Sequence, residues 1–342
     1  MGMKMLTQLF LPLTQIYGGI TALRNLFFDW GIFKSSLIKA PSIGVGNLSV
    51  GGSGKSVLID YLISFFKEKK NVLVISRGYK RKTNGVIVAS ENCTVDTIGD
   101  EPYQFFKKHK EIKIVVSEKR ILGLKTINQL NIQPDIILLD DIMQHRYVRP
   151  QKMIITTTYS QPYFNDFLMP QGSLRENKSG IKRAQIIIVT KCPSDLSVLE
   201  QEEIKNKIKP LSYQSVFFSK IEYSKKIINN EKEKFLRSLR TEFLLVTGVA
   251  NPNPLIEFLE GEKFKFEHLE FPNHNQYSLT EIEKIKLKNK NKLILTTEKD
   301  FWKLEPYFNS DALYYLPIKM SFFDNLETLR FHKLINYTLS KN

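Results

Sequence analysis

Along the chain, short and nearly unbroken apolar runs alternate with stretches whose apolar residues recur at helical spacing. The runs Ile43–Leu48, Asn71–Ser76, Ile112–Val116, Asp135–Leu139, Met153–Thr157 and Gln185–Thr190 read as strands. Continuous rather than alternating apolarity is the mark of parallel strands covered on both faces. Between them, Val57, Leu58, Tyr61, Leu62, Phe65 and Phe66 form one helical stripe, and Ile121, Leu124, Ile127 and Leu130 another. This alternation predicts an α/β fold built on a doubly wound parallel sheet. From Thr158 to Arg183 the pattern lapses around Pro162, Pro170, Gly172 and Gly180, and a loop that long is usually functional or mobile. A second, smaller α/β set follows: Phe243–Val249, a helix near Pro254–Leu259, Lys263–Phe271, a helix from Leu279, and Lys292–Thr297. Two flanking runs, Ser215–Tyr223 and Ala312–Met320, are placed to pair as an antiparallel ribbon joining the two sets. A closing helix from Leu326 to Leu339 returns to the first. The division is thus an N-terminal segment (1–40), a first domain (41–214, with 325–342) and a second domain (215–324). No internal repeat is visible.

The N-terminal segment carries no charge between Lys4 and Arg24. Thr7, Gln8, Pro12, Thr14, Gln15, Gly18 and Gly19 interrupt it, so it falls short of the roughly 20 predominantly apolar residues that a spanning helix needs. It lacks the small-residue cleavage site of a signal peptide. Leu26, Phe27, Phe28, Trp30 and Phe33 stand among Arg24, Lys34 and Lys39, the mixture that an interfacial membrane anchor needs. A first helix packed on the domain core is the plainer alternative. Lys+Arg 50 against Asp+Glu 35 gives a net charge of +15, which suits nucleic acid, an anionic membrane or a phosphorylated substrate. The lysines are scattered and form no basic arm, which weakens the nucleic-acid reading. The two cysteines, Cys93 and Cys192, lie outside any metal-ligand spacing and fit a reducing compartment.

The most informative string is Ser49-Val50-Gly51-Gly52-Ser53-Gly54-Lys55-Ser56, which follows a strand and opens a helix. Such a loop turns backbone N–H groups toward phosphate oxygens. The helix N-terminus adds its dipole, the lysine reaches the β- and γ-phosphates, and the serine can ligate Mg²⁺. The strict phosphate-loop pattern has glycine where Ser49 stands. A second marker is the apolar run ending in Asp140-Asp141, which resembles the Walker-B acids that face metal and phosphate at the carboxyl edge of a parallel sheet. Thr190-Lys191-Cys192-Pro193 begins like the base-reading string of GTPases, but Pro193 stands in the aspartate place, so guanine recognition is not expected.

Further strings are Ser76-Arg77-Gly78-Tyr79, Gly99-Asp100-Glu101-Pro102, Asp140 to Arg146, Pro170 to Glu176, Phe271-Pro272-Asn273-His274 and Thr297-Glu298-Lys299-Asp300. Taken in this order, they resemble the tetraacyldisaccharide 4′-kinase family of the lipid A pathway, over nearly the whole chain. That family's phosphate loop also lacks the first glycine. The resemblance implies an ATP- and Mg²⁺-dependent kinase at the cytoplasmic face of the inner membrane. Its substrate would be the 4′-hydroxyl of an acylated glucosamine disaccharide 1-phosphate, and its two α/β domains would be joined by a β-ribbon. Ile142-Met143, Lys80 and Asn275 depart from the family's usual residues.

A sugar hydroxyl is a weak nucleophile and needs a base near it. Asp100 is the candidate, and the resemblance pairs it with His274 from the second domain, an arrangement that implies a closure step. Gly99-Asp100-Glu101-Pro102 is also a good helix-capping string. Ser56 is the firmest Mg²⁺ ligand, and the resemblance adds Gln144 and Glu176. Asp140 and Asp141 read as water-mediated ligands or partners of Lys55. Arg77, Arg120, His145 and Arg175 are candidates for holding substrate or the transferred phosphate, with surface ion pairing the alternative for each. His109, His268 and His332 read as ordinary. Competing functions are another phosphate-loop phosphotransferase or ATPase with a soluble substrate, and a nucleic-acid binder.

Overall fold

The structure, a computed structural model, describes residues 10–336. The Lys4 end of the uncharged segment and the end of the closing helix toward Leu339 lie outside the described residues. The first half runs α1 (Leu11–Asp29), β1 (Ser36–Leu37), β2 (Ser42–Gly46), α2 (Lys55–Phe66), β3 (Val72–Ser76), β4 (Ile87–Val88), α3 (Val95–Ile98), α4 (Asp100–Lys108), β5 (Lys113–Val116), α5 (Arg120–Gln129), β6 (Ile136–Asp140), β7 (Val148–Arg149), β8 (Lys152–Thr158), β9 (Ile186–Thr190) and α6 (Val198–Ile208). The second runs β10 (Ser215–Tyr223), β11 (Lys226–Ile228), β12 (Glu233–Phe235), β13 (Phe243–Thr247), α7 (Asn253–Gly261), β14 (Phe266–Glu270), α8 (Leu279–Asn289), β15 (Ile294–Thr297), α9 (Glu298–Leu304), β16 (Leu313–Leu316), β17 (Ile318–Phe322) and α10 (Asn325–Asn336).

The main sheet has nine strands in the order β17-β10-β9-β8-β2-β6-β3-β5-β4. Its six internal pairings from β10 to β5 are all parallel, and only the edge strands β17 and β4 run antiparallel. Every residue of β2, β3, β6 and β9 is buried, the physical counterpart of their unbroken apolar runs. Because these strands are parallel, Gly46, Ser76, Asp140 and Thr190 all finish at one edge, where ligands bind in open α/β sheets.

The second sheet has six strands in the order β12-β11-β16-β15-β13-β14. The run Ala312–Met320, expected as one hinge strand, is broken at Pro317, which has no N–H to continue a ladder. Its first part joins the second sheet as β16 and its second part crosses back as β17. Strand β10 makes the complementary crossing. Ser215–Phe218 pairs with β9, then Ser219–Tyr223 pairs with β17. Helix α10 buries Phe331 against Phe217, Phe322 and Tyr61 of the first layer.

The two sheets are also joined through helices. Tyr103, Phe105 and Phe106 of α4 lie in one apolar cluster with Phe301 and Trp302 of α9. Beside it, Lys108 Nζ bridges Asp60 (2.9 Å) and Glu298 (3.1 Å), while His109 Nε2 meets Asp60 at 2.8 Å.

Candidate active site

The turn after β2 carries Ser49–Gly54. Gly51 (φ +106°) and Gly54 (φ +82°) take backbone conformations that L side chains rarely adopt, which lets the chain curl and enter α2 at Lys55. The outer rim of the curl is tied to the long loop. Val50 N donates to Ser173 O (2.7 Å), and Arg175 N donates to Leu48 O (2.7 Å). The Pro170–Glu176 string is therefore the wall of the phosphate loop.

Beneath that loop lies a charged node. Lys55 Nζ donates to Asn47 Oδ1 (3.0 Å) and sits 3.6 Å from Asp141. Arg175 grips both oxygens of Asp141, at 2.9 and 2.8 Å, and also reaches Asn47. Burial alone would raise the pKa of Asp141, but Arg175 and Lys55 outweigh it and hold the carboxyl well below the usual range. Its neighbour behaves oppositely. Burial and the Asp141 charge push Asp140 up to about 6, although it accepts from Ser76 Oγ at 3.0 Å. Adjacent carboxylates in one site split in this way.

A second node spans the two sheets. His274, at φ +59°, is fixed by its N–H to Gly248 O (3.0 Å). In turn Gly248 N donates to the buried Asp300 Oδ2 (2.8 Å). His274 Nδ1 lies 2.9 Å from Asp100 Oδ2, and its Nε2 lies 3.0 Å from Lys299 Nζ. Lys303 Nζ donates to the same Asp100 oxygen at 2.8 Å. Burial would raise the pKa of Asp100, but His274 and the Lys303 and Lys299 ammoniums together bring it below the ordinary carboxylate value. Gly99 permits close contact here, since a Cβ on it would stand 2.9 Å from the backbone of Gly78. That packing brings Tyr79 edge-on to the His274 ring, with centroids 5.5 Å apart.

The sequence model of the family described as Tetraacyldisaccharide-1-P 4′-kinase matches residues 6–336. The chain belongs to this family. A tetraacyldisaccharide 4′-kinase of Flavobacterium psychrophilum is 43% identical over 99% of this chain and 98% of its own length. One from Bacteroides thetaiotaomicron is 36% identical over 95% of this chain and 92% of its own length. Among solved structures, LpxK from Aquifex aeolicus in complex with ATP aligns over 98% of this chain and 99% of its own, with a TM-score of 0.78 and 29% identity. The protein is accordingly an ATP-dependent kinase of the lipid A pathway that phosphorylates the 4′-position of tetraacyldisaccharide 1-phosphate.

Two residues of the kinase stand elsewhere than anticipated. Arg120, expected to hold substrate, is 1% exposed. Its guanidinium donates to Ser117 O and Asp140 O, both at 2.9 Å, so it braces the end of β6 from inside. A helix-face arginine looks the same in sequence whether it turns inward or outward. Glu176, expected as a metal ligand, is 3% exposed with both oxygens engaged, by Gln144 (2.9 Å), by Asn25 (3.0 Å) and by Arg183. Arg77 is exposed at the end of β3. His145 is pushed down to about 4 by burial and the Arg120 and Arg77 guanidiniums, and is neutral near pH 7. Asn25, Asn47, Lys299 and Lys303 join the nodes although no role was read for them in sequence. Lys299 stands within the Thr297–Asp300 string, and for Lys303 the i, i+4 spacing from Lys299 was the only signal.

Among the described residues no three His, Cys, Asp or Glu side chains gather as a metal cage. A nucleotide-borne Mg²⁺ takes only a few protein oxygens. Ser56 at the start of α2, and the buried Asp140 Oδ1 and Gln144 Oε1, which lack hydrogen-bond partners among the described residues, are donors of that kind.

Proposed function

We propose that the ATP triphosphate lies on Ser49–Ser56, with Lys55 on its terminal phosphates, and that Asp100 takes the proton of the sugar 4′-hydroxyl. The observation that carries this reading is the contact between His274 and Asp100 across the two sheets. His274 and Lys303 share one carboxylate oxygen, and the other, buried Oδ1, has no partner among the described residues. A carboxylate whose pKa is lowered is ionised at neutral pH and able to accept the proton as the phosphoryl group arrives. His274, held in turn by Lys299, fixes the orientation of that carboxylate. Arg175 and Asp141 hold Lys55 in register with the loop. Ser56, Asp140 and Gln144 are the proposed protein ligands of Mg²⁺, which offsets phosphate charge when bound.

The enzyme is further proposed to work on the membrane leaflet that faces the ATP pool, docked through α1. No helix among the described residues is long and apolar enough to cross a membrane. Along α1, Thr14, Tyr17, Gly18, Thr21, Asn25 and Phe28 turn toward the protein, while Leu13, Ile16, Ile20 and Leu23 form an exposed apolar stripe. Polar inside and apolar outside is the reverse of a helix in water and supports an interfacial site.

The test uses purified enzyme, MgATP and tetraacyldisaccharide 1-phosphate. Asp100→Asn lowers turnover by about 10²- to 10⁴-fold and His274→Ala by a smaller factor. Both keep MgATP affinity within about twofold, because neither residue belongs to the phosphate loop. Full turnover by Asp100→Asn would remove the carboxylate from the reaction.

A further inference from the structure

The string Thr190-Lys191-Cys192-Pro193 has no part in the reaction described above, yet it lies against the phosphate loop. Strand β9 ends at Thr190, two strands from β2 and on the side away from β6. Thr190 Oγ1 donates to Ser53 O at 2.9 Å. A Cβ placed on Gly54 would come within 3.2 Å of Thr190, so the loop rests on this residue. Lys191 then takes a left-handed backbone, φ +55°, which costs a non-glycine residue about 1–2 kcal/mol. The turn carries its side chain back over the loop. Lys191 Nζ stands 3.5 Å from the place a Cβ on Gly52 would occupy.

This ammonium has no hydrogen-bond or ion-pair partner among the described residues. Lys191 is exposed at the mouth of the loop, so its ammonium is free to meet an anion arriving from solvent. The other lysine of the loop, Lys55, is already engaged by Asn47 and Asp141. Asp140 and Asp141 approach the loop from β6 on one side, and Lys191 from β9 on the other. A triphosphate with its terminal end at Lys55 and Asp141 therefore leaves its ribose and base on the Lys191 side.

We infer that Lys191 is a nucleotide-binding residue, its ammonium contacting α-phosphate and ribose oxygens and its methylene stem covering one face of the base. The inference rests on the proposed seating of the triphosphate on Ser49–Ser56. Pro193 leaves no carboxylate two residues on to pair with a guanine edge, so Lys191 grips the nucleotide without selecting the purine.

The experiment is calorimetric titration of the full chain with MgATP, MgADP and MgGTP in the absence of lipid acceptor. Lys191→Ala weakens all three by about tenfold, the loss of one charge-assisted contact. Lys191→Arg restores binding to within about threefold, and the nucleotide-free melting temperature of both variants matches wild type. In turnover, Lys191→Ala raises the KM for ATP more than it lowers kcat. A folded Lys191→Ala that binds MgATP and MgADP as wild type does overturns the inference. A loss confined to MgATP overturns the assignment to the ribose end. Failure of the wild type to bind MgATP overturns the seating of the triphosphate itself, a separate result.

Discussion

Arg175 holds the phosphate side of the site with a planar fork. Its two nitrogens meet both Asp141 oxygens, and one of them also bonds Asn47 O at 3.1 Å. Lysine offers a point charge on a flexible stem and cannot satisfy both partners at once. Arg175→Lys therefore frees Asp141 to draw Lys55, now 3.6 Å away, off the loop. The expected result is a fall in turnover of roughly 10- to 100-fold, the scale of a small misplacement in a catalytic site. The check is steady-state kinetics beside a urea titration, and wild-type kinetics in this variant would refute the role. Lys55, Asp141 and Arg175 could be picked out of the sequence because each sits in a short string with its own chemical logic, although Arg175, expected on substrate or phosphate, meets Asp141 and Asn47. Asn47 and Lys303 could not, because each matters through a partner far along the chain. The inward turn of Arg120 was hidden for a related reason: spacing puts it on a helix face, and only burial reveals which way that face turns.

At the level of elements, three helices that carry the site are pinned at one buried point. Asp60 lies on the helix that opens at Lys55, Lys108 and His109 stand at the far end of the Asp100 helix, and Glu298 begins the helix of Lys299 and Lys303. Asp60→Asn removes the charge that holds both Lys108 and His109. The expected cost is about 3 kcal/mol, the scale for breaking a buried ion pair. Burial would raise the pKa of Asp60, but His109 and Lys108 outweigh it, so the folded-state value lies below the unfolded one. A depressed carboxylate contributes stability that is complete above the unfolded pKa and fades as pH falls through the folded value. Urea titrations should show the full difference between wild type and Asp60→Asn at pH 7 and a smaller one near pH 3; an equal difference at both would exclude the ionised pair. The wholly buried strands β2, β3, β6 and β9 and the striped helices α2 and α5 could be foreseen from apolar spacing, whereas α6, which buries only Ile208, and the short α9 could not. The short β4, β11 and β12 could not, for two or three residues carry no period and become strands only when a partner is beside them. Pro317 was the visible clue to the split between β16 and β17, and the apolar run across it masked the break.

For the molecule as a whole, the unusual feature is where its apolar surface lies. The α1 helix is fastened by its polar side: Arg24 donates to Gln144 O (2.7 Å), Tyr17 to Arg175 O (2.7 Å) and Asn25 to Glu176 (3.0 Å). Gly18 allows close approach, because a Cβ there would lie 2.9 Å from Leu168. These contacts leave Ile20 63% exposed in a row with Leu13, Ile16 and Leu23, and Trp30 and Ile32 exposed beyond them. Burying an aliphatic side chain is worth roughly 1.5–3 kcal/mol, and the net charge of +15 adds attraction to anionic headgroups. The triple variant Ile16→Ser, Ile20→Ser, Leu23→Ser should therefore bind phosphatidylglycerol-containing vesicles at least about 100-fold more weakly than wild type. The inward contacts with Gln144, Arg175 and Glu176 are untouched by these changes, so MgATP affinity should hold while turnover on vesicle-borne substrate falls. Raising the salt should weaken wild-type binding in part, because screening removes the electrostatic share and leaves the apolar share intact. Flotation of protein with vesicles measures both effects. Equal flotation of the triple variant and wild type would refute the outward face of α1 as the proposed membrane-docking surface.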